Sequence, residues 1–176
     1  MLTAVSRPHN LARVGASLAR STNAAVEAGH DVEVVWHWRL DTRREHAGGQ
    51  RLKNQMLDGI DHGWVWILDD DTAVHPELVT RLAETIRDHP AVVAVVVAQT
   101  RADGRVFPAG PESVKVGYID AGQALLRRDA VGDDRLPETY EGDGQFLERV
   151  LARAGPQMYV NEPLSFHNML DGGEGE

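Results

Sequence analysis

Three carboxylates, Asp69, Asp70 and Asp71, stand side by side directly after the apolar run WVWIL at residues 64–68. Adjacent like charges repel, and a hard divalent cation held by oxygen ligands relieves that repulsion. On an extended chain side chains alternate, so Asp69 and Asp71 should share one side and Asp70 the other. Asp71 is the first candidate for a metal ligand. Asp69 and Asp70 are candidates for binding the hydroxyls of a sugar or ribose. The pattern points to metal or phosphate chemistry, with Mn2+ or Mg2+ bridging the oxygens of a diphosphate. A single Asp here would suggest only a solvated turn.

Two more constellations carry chemistry. His167 ends the apolar stretch 157–166 and precedes Asn168, a place from which an imidazole could complete a metal site. Glu141 and Asp143 begin a helical pattern. Acidic residues favour helix N-termini for electrostatic reasons alone, but a carboxylate there can also serve as a base aimed into a cleft. Weaker candidates are Arg51, Lys53 and Asn54 for phosphate contacts and Arg7 with Pro8 for a nucleotide pocket. The triplet Trp36-His37-Trp38 offers rings for stacking on a base or sugar. GxGxxG, Walker, HExxH and GxSxG motifs are all missing.

The elements that must position these groups follow from the hydrophobic pattern. Residues 64–68 and 91–98 are apolar without alternation, as strands buried on both faces read. Residues 2–5 and 31–38 read as further strands. Helical spacing is expected over 10–28, 50–60, 76–89 and 141–154, with Phe146, Val150 and Leu151 turned inward in the last. Asp103-Gly104 signals a tight turn, hence a hairpin or an excursion from the sheet between 99 and 114. Residues 116–126 read as a strand and loop feeding another strand, 127–131 as a helical turn, and 157–166 as a last strand. The polar segment 39–49 reads as a loop and a candidate for mobility. The first two-thirds is therefore βαβαβαβ, a mostly parallel central sheet flanked by helices; the last third is mixed. Acid groups at the carboxyl end of a buried strand lie where open α/β sheets place ligands.

Composition narrows the classes. The chain has 176 residues, 42% hydrophobic and 26% charged, enough for one core. Residues 1–170 are expected to form a single domain and 171–176 a flexible acidic tail. The net charge is -9, from 18 basic and 27 acidic residues, which argues against nucleic acid and anionic membranes as partners. With no cysteine there is no disulfide, thiolate zinc site or cysteine nucleophile. Without a signal-peptide core or an apolar run near the ~20 residues of a transmembrane helix, the expectation is a cytoplasmic protein.

Four segments in order resemble glycosyltransferases of the GT-A fold, especially the large family 2 group. SRPHNLARVGASL is similar to the first-strand loop and helix, with the Pro8–Asn10 spacing one residue short. QRLKNQMLDGIDHGWVWILDDD resembles the run that leads to D-x-D, with Lys53-Asn54 where Arg-Asn is common. GYIDAGQALLRRDAV is similar to the acceptor-side segment, and YEGDGQFLERVLARAG to the one bearing the base. SFHNM follows, with His167 where many members have a metal-binding His. The resemblance implies a Rossmann-like GT-A fold with a small mixed second sheet region. It also implies a nucleoside-diphosphate sugar donor (UDP favoured), transfer to an acceptor hydroxyl with inversion, Asp143 as base, and Mn2+ or Mg2+ on Asp71 and His167. Arg7, Pro8, His37, Arg51, Asn54, Asp69 and Asp70 would contact the nucleotide sugar. The acceptor, a saccharide or small molecule, is left open. The chain departs from the pattern at Trp36-His37-Trp38, where relatives carry a base-reading Asp, and at Gly142, where a Glu is usual; its length also pares down the acceptor region. Two alternatives stand beside this reading. One is a noncatalytic nucleotide-sugar-binding module of the same fold. The other is a magnesium-dependent phosphohydrolase of the haloacid-dehalogenase type, which wants a Thr where Ala73 stands.

Overall fold

The computed structural model describes residues 1–42, 49–107 and 109–170. Most of the loop expected at 39–49 and all of the tail expected at 171–176 lie outside the described residues. The element order is β1 (Leu2–Val5), α1 (Leu11–Glu27), β2 (His37–Leu40), α2 (Gln50–Leu57), β3 (Trp64–Trp66), β4 (Ala73–Val74), α3 (Leu78–Asp88), β5 (Ala94–Arg101), β6 (Val106–Phe107), β7 (Ala124–Arg127), α4 (Arg128–Val131), α5 (Gly142–Arg153) and β8 (Gln157–His167).

The strands line up as β2-β1-β3-β7-β5-β8-β4, the first two joined to the rest through a parallel bridge between Leu2 and Ile67. Pairing is parallel for β1–β2 and β5–β8 and antiparallel for β3–β7, β5–β7 and β4–β8. Because β7 reverses between β3 and β5, the strands β2, β1, β3, β5 and β8 all run in one direction, and their carboxyl ends share one edge. That edge carries the site.

The unbroken apolar runs now have a cause. In β3 and its continuation, Val65 and Ile67 pack with Met56 and Leu57 of α2 and with Phe146, Leu147 and Val150 of α5. Trp66 and Leu68 face the other way, against Val14 and Leu18 of α1 and Leu78 and Leu82 of α3. Strand β5 does the same, with Ala94, Val96 and Ala98 on the α5 side and Val95 and Val97 on the α1/α3 side. Helices cover both faces, so residues 65–68 and 92–99 are buried without a break.

The second strand and the segment 116–126 depart from expectation. The second strand begins at His37 rather than at residue 31, because the register sets Leu2 opposite His37 and Val5 opposite Leu40. Residues 31–36 precede the first paired position and stay outside the ladder. The strand expected to open the 116–126 segment is a turn; it closes through hydrogen bonds from Tyr118 N and Ile119 N to the Lys115 carbonyl, with Gly117 at φ 82°. The expected hairpin is present as β5–β6, with Gln99 opposite Phe107 and Gly104 at φ 80° in its turn.

Candidate functional site

The chain leaves β3 through Leu68 and turns at the three aspartates, and the turn sends them to different jobs. Asp70 is 2% exposed and points back at the loop after β1. Its Oδ2 accepts hydrogen bonds from Ser6 N and Arg7 N, both at 2.6 Å, and from Ser6 Oγ at 3.1 Å. Its Oδ1 accepts from the Arg7 guanidinium at 2.6 and 2.9 Å. Both oxygens are thus engaged by the protein itself. Asp70 buckles two loops together and is not among the residues that line the cleft.

Asp69 and Asp71 face the cleft. Asp69 Oδ1 accepts from Lys53 Nζ at 2.6 Å, and Asp71 Oδ2 lies 2.7 Å from the Arg7 guanidinium. Burial opposes ionisation of Asp69, but the Lys53 ammonium and its hydrogen bond outweigh it and hold this carboxyl below its ordinary range. Lys53 is 1% exposed. Burial alone would lower it, and the charge and hydrogen bond of Asp69 raise it instead, so both partners stay charged. His167 reaches the same spot from the end of β8. One ligand atom from each of Asp69, Asp71 and His167 lies within 4.8 Å of the others. Two hard oxygens and an imidazole nitrogen at that spacing, on side chains from two strand ends, suit a divalent first-row ion.

Asp143 lines the same cleft from the first turn of α5. Its Oδ1 accepts from Gly144 N at 2.8 Å, and its Oδ2 lies 3.4 Å from Ala121 N. Burial, followed by the charges of Asp120 and Asp69, pushes its carboxyl up to about 6. A carboxylate raised in this way is poised for proton transfer near neutral pH. The cleft between these groups has a volume of about 410 Å³ and is lined by Arg7, Lys53, Asp69, Asp71, Gln99, Arg101, Asp120, Asp143 and His167, with Tyr118 and Tyr140 among the residues around it.

The other expected nucleotide contacts are elsewhere. His37 opens β2 level with Leu2 and lines a separate groove with Met1 and Trp64. Asn54 exchanges hydrogen bonds with the Leu136 backbone, donating to its carbonyl and accepting from its N–H, both at 2.9 Å. It ties α2 to the loop before α5. Pro8 is exposed at the start of a single 3-10 turn, and Arg51 is half-buried on the first turn of α2; neither lines the cleft.

Lys53, read from the sequence only as a weaker candidate for phosphate contacts, and Asp120, not read as a site residue, both line the cleft. Lys53 carried a readable signal: it sits three and four residues before Met56 and Leu57, on the apolar face of α2, and a lysine on a core face requires a buried counter-charge. Asp120 carried none, because its place depends on a turn that brings residues 118–123 back over β5.

The sequence model described as Glycosyl transferase family 2 matches residues 21–134. Solved structures of similar fold include TarS 1-349 of S. aureus (TM-score 0.68, 12% identity, 94% of this chain against 59% of that one). The same segment in complex with UDP gives a TM-score of 0.67 at 13% identity over 94% and 58%. Its complex with UDP-GlcNAc gives 0.67 at 14% identity over 99% and 58%. The chain therefore spans under two-thirds of the length of these structures, and the likeness is one of fold. No curated protein matches. Arg7, Asp143 and His167 fall outside the segment matched by the family model, so only their position in the fold ties them to the site.

Proposed function

The chain belongs to glycosyl transferase family 2 and has a GT-A fold, and from that premise we propose that it moves a sugar from a nucleoside-diphosphate donor to an acceptor hydroxyl, with inversion and with a divalent metal. The observation that carries the proposal is the meeting of Asp69, Asp71 and His167 at one point of a cleft that Asp143 also lines. UDP is the favoured diphosphate, since the structural neighbours above were solved with UDP and UDP-GlcNAc.

In this reading Asp71 and His167 hold Mn2+ or Mg2+, and Asp69 sits beside them. The ion, when bound, neutralises charge on the departing diphosphate. Asp143 takes the proton of the acceptor hydroxyl as that oxygen attacks the anomeric carbon. The bond from that carbon to the diphosphate oxygen breaks, and its electron pair leaves with the nucleotide. A single displacement from the face opposite the leaving group inverts the carbon. Lys53 holds Asp69 ionised, and Arg7 lies close enough to the aspartates to meet the diphosphate on the same side. The deep burial behind Asp143 favours a transferring enzyme over a passive nucleotide-sugar module, because a mere binding wall gains nothing from a carboxyl raised to about 6. The family match removes the motive for the phosphohydrolase alternative.

Calorimetry with Mn2+ and UDP tests the donor half. Heat from UDP that depends on Mn2+ and vanishes in Asp71→Ala is expected; no heat from any nucleoside diphosphate with metal would overturn the proposal. For the transfer half, Asp143→Asn should bind UDP-sugar like the parent protein yet release no UDP from it.

A further inference from the structure

His167 presents an unanswered question of geometry. Its Nδ1 is buried and, among the described residues, has no hydrogen-bond partner. It lies 3.7 Å from Oδ2 of Asp120. Asp120 is itself fixed on three sides. Its Oδ1 accepts from Gly122 N at 2.8 Å and from Gln99 Nε2 at 3.2 Å, and its backbone N–H donates to Gln123 Oε1 at 3.1 Å. Gln99 is fully buried and also donates to Ser165 Oγ, two residues before His167 on β8. One carboxylate oxygen of Asp120 is spent on this frame, and the other is held toward the imidazole.

We infer that Asp120 is the positioning residue for His167: it fixes the imidazole with Nδ1–H toward the Asp120 carboxylate and Nε2 free to ligate the metal. The inference rests on the metal site proposed above. Which ring nitrogen is left for a ligand is set by the hydrogen bond the other one makes, and carboxylates commonly fill this role behind metal-binding histidines. Asp120 is well suited to it because the Gly122 and Gln99 bonds leave it a single orientation, and because Gln99 and Ser165 tie it to the same strand pair, β5–β8, that carries His167. Asp120→Asn would keep an oxygen for Gly122 N and turn an N–H2 group toward Nδ1. Two donors would then face each other, which favours the tautomer with its proton on Nε2, where the metal should bind.

The test is Mn2+ binding to the metal-free protein, followed by calorimetry or by the loss of the free-ion EPR signal, with thermal denaturation of each variant alongside. Asp120→Asn should weaken Mn2+ binding about 10- to 100-fold while the metal-free melting temperature stays close to that of the parent. In the double variant with His167→Ala, Asp120→Asn should add no further loss, since its effect passes through the imidazole. Unchanged Mn2+ affinity in Asp120→Asn, or a loss that adds in full to that of His167→Ala, would overturn the inference and leave the metal site standing. Asp120→Ser, which keeps a cap for Gly122 N, supplies the same comparison if the Asn variant folds poorly. If the parent protein binds no Mn2+, or His167→Ala binds it unchanged, the metal site itself falls and the inference with it.

Discussion

Asp143 and Asp70 show how two aspartates in one fold can have opposite energetics. The Asp143 carboxyl is raised from 3.8 to about 6 by burial and by Asp120 and Asp69. The sign of its linkage follows directly. The folded protein binds this proton more tightly than the unfolded chain, so Asp143 costs stability once pH exceeds its folded value and costs nothing below the unfolded one. Discounting the full shift for its partial exposure, Asp143→Asn should stabilise the metal-free protein by about 1–2 kcal/mol at pH 8 and by little at pH 4. Urea melts at the two pH values check this; equal gains at both would refute it. The same shift predicts that transfer fails as pH falls through about 6, where the base becomes protonated, and kcat/KM against pH reads that limb. Asp70 acts through its hydrogen bonds. It satisfies two backbone N–H groups and the Arg7 guanidinium. Asp70→Ala should cost about 1–3 kcal/mol by leaving the Ser6 and Arg7 backbone N–H groups without their acceptor. Asp71→Ala should cost less stability and remove Mn2+ binding. A variant series in which Asp70, not Asp71, controls metal binding would reverse the division of labour assigned here.

Among the elements, the turn that feeds α5 explains a departure from the family pattern. Gly142 stands where relatives carry a Glu, and a Cβ at this position would overlap the Pro137 carbonyl oxygen. Gly142 N also donates to the Thr139 carbonyl, so the loop folds back tightly on the helix start. Neither backbone atom can yield cheaply, and Gly142→Ala should cost about 1–3 kcal/mol and lower transfer by displacing Asp143. A denaturation midpoint like that of the parent would mean that the loop relaxes freely. The same elements show what a sequence can and cannot disclose. Period-two alternation anticipates that Asp70 parts from Asp69 and Asp71, although in the structure it is the turn after Leu68 that parts them. Unbroken apolar runs at 64–68 and 91–98 disclose a sheet covered on both faces, since no solvent-facing position interrupts them. The start of β2 is not legible, because Val35 and His37 differ only in whether a distant strand lies opposite. Nor is the role of Asn54 or Asp120 legible, because each depends on a loop delivered from some 80 or 20 residues away. Helical face, by contrast, was available for Lys53, whose spacing to Met56 and Leu57 marks it as buried.

For the molecule as a whole, the decisive fact is where its charge is concentrated. The net charge is -9, and Asp69, Asp71, Asp120 and Asp143 converge on one cleft against the cations Arg7, Lys53 and Arg101. Two of those cations are already paired, Lys53 with Asp69 and Arg7 with Asp70 and Asp71. A nucleoside diphosphate entering alone therefore meets carboxylates whose neutralising partners are largely spent, and Coulomb repulsion opposes it. With a divalent ion at Asp71 and His167 the local sign reverses. Binding should accordingly be ordered: UDP alone leaves the melting temperature unchanged, Mn2+ alone raises it modestly, and the two together raise it most. At ligand concentrations near 100 times Kd the gain is about 2.7 kcal/mol, or roughly 5–10 °C for a chain of this size. Differential scanning fluorimetry with each component, and with chelator added back, reads the order directly. A shift from UDP that survives the chelator would mean that Arg7, Lys53 and Arg101 bind the diphosphate by themselves, and that the acidic tip of β3 serves some purpose other than holding a cation.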